Sequence, residues 1–119
     1  MRIFSVMLLA LFLVACQQEE TKALLQGDWM GVSWKVNGVE SGRVEAGVQF
    51  HFDAEDTYTA TYGDQVEKGS YRVRSGKLYT VAENKIEKMV GIARLTPDTL
   101  IMDMNRVGTA EELVLVRKK

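Results

Sequence analysis

From Met30 onward, apolar side chains recur at every second position in short runs, and each run stops at turn-forming residues. Alternation with period two places all the apolar residues of a run on one face of a β-strand. Met30, Val32, Trp34 and Val36 alternate with Gly31, Ser33 and Lys35, and Asn37-Gly38 then signals a tight hairpin. Val48, Phe50 and Phe52 alternate with Gln49, His51 and Asp53. In residues 57–62, Tyr58, Ala60 and Tyr62 share one face and three threonines the other. Further runs over 67–74, 77–82, 86–95, 100–105 and 113–117 bring the number of strand candidates to eight. Gly63-Asp64, Ser75-Gly76, Thr96-Pro97-Asp98 and Val107-Gly108-Thr109 separate them. No segment after Gln26 has a helical period.

Short strands joined by tight turns leave no room for crossover helices, so the sheet is expected to be antiparallel. An open meander exposes two strand edges, and closure removes both. The expected fold is therefore all-β: an eight-stranded antiparallel up-and-down barrel. A two-sheet β-sandwich is the alternative, because it uses the same strand patterns. The chain of 119 residues suits one domain of this kind. Its formal net charge of −1 supplies no polybasic patch, which argues against nucleic acid as a partner.

The N-terminal residues follow a different rule. Arg2 precedes an apolar run, IFSVMLLALFLV, that is too short to span a bilayer comfortably and reads as a secretory signal. Leu13-Val14-Ala15-Cys16 closes it and resembles the lipobox of bacterial lipoproteins. That resemblance implies cleavage before Cys16 and lipidation of its thiol. Cys16 is the single cysteine, so no intrachain disulfide can form, and acylation would remove a lone reactive thiol from an oxidising compartment. Gln17, rather than Asp, follows the cysteine. In enteric-type bacteria this resembles the signal for the outer membrane. The expected organisation is a signal peptide over 1–15, a lipidated polar tether over 16–22 and a barrel domain over 23–119. The protein is thus expected in the bacterial cell envelope, held to the outer membrane by its N-terminal lipid.

Gly27-Asp28-Trp29 at the first strand resembles the Gly-x-Trp signature of lipocalins. The ordered set Val48-Gln49-Phe50-His51-Phe52, Gly69-Ser70-Tyr71, Ser75-Gly76-Lys77-Leu78 and Leu95-Thr96-Pro97-Asp98-Thr99-Leu100 extends the likeness to bacterial lipocalin-like lipoproteins. The resemblance implies that Trp29 sits at the barrel floor with an arginine from the last strand, Arg117, across it. One feature conflicts with this. Trp29 shares parity with Gly31, Ser33 and Lys35, whereas Trp34 belongs to the opposite row. An inward Trp29 requires a bulge or bend near Gly31; otherwise Trp34 is the core aromatic.

The inward row supplies lumen candidates: Phe50, Phe52, Tyr58, Tyr62, Tyr71, Leu100, Met102 and Met104. An eight-stranded barrel is just wide enough to be filled by side chains or to hold one small ligand. A small hydrophobic or amphipathic ligand is the first functional expectation, with tyrosine hydroxyls as polar handles. The alternative is a filled core with an envelope protein as partner, contacted through the irregular segment 38–47. No cofactor is expected. Met102 and Met104 share a face with thioether chemistry suited to copper, but methionine at period two is ordinary core filling, and His51 is the only histidine. His51 and Asp53 lie on one polar face without a nucleophile motif, and Asp53, Glu55 and Asp56 read as solvated turn acids, so no enzyme activity is expected. The lipidation expectation has a direct test. Palmitate should label the wild-type chain and not Cys16→Ser; equal labelling of both would sink it.

Overall fold

The alternating runs pair with their sequence neighbours into a single antiparallel sheet that closes on itself. The computed structural model describes residues 18–83 and 85–118. The expected signal segment 1–15 and Cys16 lie outside the described residues. The strands are β1 (Gly27–Val36), β2 (Val39–Glu40), β3 (Val48–Phe52), β4 (Thr57–Tyr62), β5 (Gln65–Arg74), β6 (Lys77–Ala82), β7 (Lys88–Leu95), β8 (Thr99–Arg106) and β9 (Thr109–Arg117). Consecutive strands from β3 to β9 are paired, and β1 joins β3 on one side and β9 on the other. The ring has eight strands, and the closing β1–β9 ladder excludes the sandwich. The two-residue β2 is additional, a short hairpin arm on the end of β1.

Turn chemistry follows the local sequence. Asn37-Gly38, Ser75-Gly76 and Val107-Gly108 all carry positive φ at both residues, which matches the right-handed twist of the flanking strands. Val107 is the unusual member: a β-branched residue at φ 51°, where the left-handed region costs about 1–2 kcal/mol. Segment 38–47, read from sequence as irregular, contains β2 and a 3₁₀ helix, Arg43–Ala46. Val44 of that helix packs against the core cluster.

One expectation needs correction, and one open choice is settled. The tether over 16–22 is helical from residue 18, in a helix, α1, that runs to residue 25. Residues 22–26 could be read as one helical turn, but the polar composition of 18–21 hid the earlier part, because only one face of α1 is used. Leu25 is fully buried at the end of the barrel, and Lys22 forms an ion pair with Asp56 in the β3–β4 turn. The parity conflict around Trp29 is resolved by a bulge. Gly31 pairs with Leu115 and Ser33 with Val114, so Val32 is an extra residue that stands out toward solvent. The bulge turns both Trp29, 0% exposed, and Trp34, 9% exposed, into the same interior. Gly31 is needed there because a Cβ would stand 2.9 Å from Val48 Cβ.

The floor is built around Trp29. Its indole N–H donates to the Leu25 carbonyl at 2.8 Å, and the Arg117 guanidinium lies 4.2 Å from the ring centroid. Arg117 also donates to the carbonyls of Gln26 at 2.7 Å and Pro97 at 2.6 Å, and to that of Leu24. One cation thus satisfies orphan carbonyls at the C-terminal end of α1, where the helix dipole favours positive charge. Gly27 has φ 118°, and a Cβ on it would meet the Arg117 guanidinium at 2.6 Å. The glycine two residues before the tryptophan is therefore the space through which the arginine reaches the helix.

This arrangement predicts coupling between the two residues. Trp29→Ala should destabilise by about 3–5 kcal/mol, as for other buried large aromatics. Arg117→Ala should cost less, and the double variant should fall short of the sum by about 0.5–2 kcal/mol. Urea melts of the four proteins test this, with strict additivity the contrary result.

Candidate functional site: an amphipathic barrel lumen

The inward rows of the strands change character along the barrel. In β9 the row reads Leu115, Leu113, Glu111 from floor to mouth; in β8 it reads Leu100, Met102, Met104, Arg106. In β5, Tyr71 lies toward the floor and Glu67 toward the mouth, and in β7 Val90 is followed outward by Lys88. These four strands are therefore apolar over their lower inward positions and charged at their upper ones. The result is a cavity of about 540 Å³, open at the end carrying the 3₁₀ helix and the β4–β5 and β8–β9 turns. This lies within the range of about 300–1,000 Å³ usual for small-molecule sites.

Phe50, Tyr58, Tyr62, Met102 and Met104 line this cavity. Phe52, Tyr71 and Leu100 do not, which corrects their reading as lumen residues. They share the inward parity but sit at the floor, where Trp29 and Leu25 fill the space. Phe52 and Tyr71 meet there edge to face with centroids 5.0 Å apart, and the Tyr71 hydroxyl donates to the Asp53 carbonyl at 2.7 Å. Trp29 and Arg117 belong to the same floor, remote from the opening.

Several lining residues were not among the sequence candidates. Trp34 forms part of the wall, together with Val48, Leu78, Val90 and Leu113. Glu111 is the most consequential. It is 6% exposed and accepts hydrogen bonds from the Trp34 indole at 2.9 Å and from Arg43 at 2.9 Å, with Arg106 Nε at 3.2 Å. Arg43 also stands 5.1 Å from the Trp34 ring centroid. A signal for Glu111 existed: it continues the inward parity of Leu113 and Leu115 by one step. Nothing local identifies Arg43 as its partner, because 68 residues separate them.

A second polar group faces Glu111 across the lumen. Tyr58 donates its hydroxyl to Glu67 at 2.7 Å, and Lys88 Nζ lies 3.6 Å from the same carboxylate. Burial, then the hydrogen bond and charge of Glu67, push the Tyr58 phenol well above its usual range. Burial followed by the Glu67 charge pushes Tyr62 up to about 12. Both phenols remain protonated donors throughout the physiological range.

The other groups weighed from sequence do not assemble. His51 is on the outer wall beside Asp28, its Nδ1 2.8 Å from the carboxylate. Met102 is inside, so the histidine and the methionines do not converge. Asp53 receives the Thr57 hydroxyl and the backbone N–H groups of Thr57 and Glu55. Those bonds, the Thr57 hydroxyl first, hold its carboxyl below the ordinary range, as a turn-capping acid rather than a partner of His51.

A family model described as a lipocalin-like domain matches residues 25–102, about two thirds of the chain. No curated protein sequence matches it. The matched span runs from Leu25 through β1 into β8; β9, with Glu111 and Arg117, lies beyond it and is placed by the β1 and β8 ladders.

Glu111 gives this site a stability test. Glu111→Ala removes the acceptor of a buried indole N–H, which costs about 1–3 kcal/mol. Arg43 and Arg106 are half exposed, so water screens the charges left behind, and the larger penalty of a stranded buried ion does not apply. Adding Trp34→Phe to Glu111→Ala should cost less than Trp34→Phe costs alone, because the orphaned donor is then gone. Chemical denaturation of the four proteins reads the difference.

Proposed function

This chain belongs to the lipocalin-like domain family, and we propose that it is a binding protein that holds a small hydrophobic or amphipathic molecule in the barrel lumen. The single observation that carries this reading is the open cavity of about 540 Å³ with an apolar lower wall. A filled core would have favoured the alternative, a module that contacts an envelope protein through its loops. The space is on the order of eighteen water volumes, far more than packing defects leave in a finished core.

The reading as a binder rather than an enzyme rests on the same geometry. The carboxylates at the mouth are already bonded to cations, an indole and a hydroxyl, and among the described residues that line the lumen no nucleophile motif stands beside a free base. The cellular setting of this proposal comes from the sequence. Lipidation at Cys16 would tether the barrel to the bacterial envelope, on the outer membrane. α1 is at the floor, so the mouth would face away from an anchor attached ahead of it. More than one acyl chain is needed for stable attachment, which the lipoprotein route supplies.

An uncharged environment-sensitive dye, N-phenyl-1-naphthylamine, tests the lumen directly. It should bind at micromolar concentration with a rise in emission. Met102→Trp, which narrows the lumen at mid-height, should weaken binding several-fold, whereas Met30→Trp on the outer wall should not. Absence of binding to the folded wild type, or binding indifferent to Met102→Trp, would reject the proposal.

A further inference from the structure

We propose that the molecule held in this barrel is a single-chain amphiphile with an anionic head, bound tail inward, its carboxylate or phosphate engaged by Arg43 and Arg106 at the mouth. This rests on the small-ligand reading above and adds the chemistry of the ligand to it. The charged residues lining the cavity are Arg43, Lys85, Lys88 and Arg106 against Glu67 and Glu111. Four cations face two carboxylates, although the whole chain is slightly acidic. A concave site with apolar walls focuses such an excess onto whatever enters it.

The distribution of donors sharpens the assignment. Glu111 is held by three groups, Trp34, Arg43 and Arg106, and Glu67 by two, Tyr58 and Lys88. Both carboxylates are therefore engaged already and leave little to offer a cationic head. The arginines are not used up. Arg43 gives one terminal nitrogen to Glu111, and Arg106 donates its Nε–H to Met104 Sδ while that nitrogen pairs with the Glu111 carboxylate at 3.2 Å. Among the described residues, their remaining N–H donors have no protein acceptor. Both arginine side chains are about half exposed, at 50% and 53%, and Glu111 pairs with both. A planar guanidinium fork fits the two oxygens of a carboxylate or phosphate, and such charge-assisted pairs are the strong hydrogen bonds.

Below the arginines the wall is Phe50, Leu78, Val90, Met102 and Leu113, with no charged group. A volume of about 540 Å³ takes on the order of eighteen groups the size of a water or a methylene. That suits one chain of roughly a dozen carbons plus a head and excludes a two-chain lipid from full enclosure. Tail and head thus have separate, adjacent receptors along one axis.

The experiment is displacement of the bound uncharged dye by matched twelve-carbon compounds: dodecanoate, dodecyl phosphate, dodecanol and dodecyltrimethylammonium, each below its micelle concentration. At least one anion should displace the dye at a concentration about tenfold or more below that of the alcohol, with the cation weakest. The order of carboxylate and phosphate identifies the head. Added salt should narrow the gap. In Arg43→Gln/Arg106→Gln the anion-to-alcohol ratio should fall close to one. Arg43→Gln alone, on the exposed 3₁₀ helix, should lower it partway and serves if the double variant melts early. Equal displacement by anion and alcohol, or an unchanged ratio in the variants, would overturn the assignment of the head while leaving the lumen reading intact. Failure of the dye itself to bind would overturn both.

Discussion

The barrel depends on one strand meeting two partners with opposite demands. β1 must present Trp29 inward where it runs between β3 and β9, and Trp34 inward where it leaves β3 and continues along β9. A strand of strict period two cannot do both, because the residues are five apart. The bulge at Val32 supplies the missing step. It also bends β1 away from β3 in its upper half, where the 3₁₀ helix occupies the gap and packs Val44 against Gly31. Closure, the open mouth and the position of Arg43 all follow from that one inserted residue.

Each end of the barrel then carries a tryptophan with an arginine beside it, and the two pairs do different things. At the floor, Arg117 is consumed by protein acceptors: three carbonyls and the Trp29 ring. It ties α1, β1, β9 and the β7–β8 turn together and has little left for a ligand. At the mouth, Arg43 covers Trp34 from a 3₁₀ helix of four residues and is half open to water. The first pair is architecture. The second has the exposure and the spare donors that recognition of a solute needs.

The buried Glu111 is what makes the mouth ordered. An acid at 6% exposure is tolerable only with strong partners, and it has an indole and two guanidiniums. These bonds orient two arginines that would otherwise sample many rotamers. Pre-organisation of this kind lowers the entropy lost when a ligand is bound. Against this, Glu111 offsets part of the positive charge. The remaining excess comes from Lys85 and from the second arginine, which is why the preference expected for anions is moderate in size rather than absolute.

The eight barrel strands, their hairpin turns and the antiparallel order were legible in the sequence, because alternation and Asn-Gly or Ser-Gly pairs act over a few residues; β2 and the polar start of α1 were not, because neither carries a periodic apolar row. Phe50, Tyr58, Met102 and Met104 were recognisable as inward by parity alone. Parity does not tell height along the axis, however, so Phe52, Tyr71 and Leu100 could not be separated from the true lumen. That division is made by Leu25 and Trp29, which fill one end and not the other. Likewise, a bulge near Gly31 was required by the Gly-x-Trp parity, but its occurrence between Gly31 and Ser33 is decided by the β9 ladder. The acidic and basic groups at the mouth come from strands and loops far apart in the chain. Only closure of the ring brings Glu111 to Arg43 and Glu67 to Lys88. Local sequence determined which residues form each wall, since side-chain direction in a strand is set by the backbone; tertiary structure alone decided which walls enclose space, since that depends on what packs against them from elsewhere.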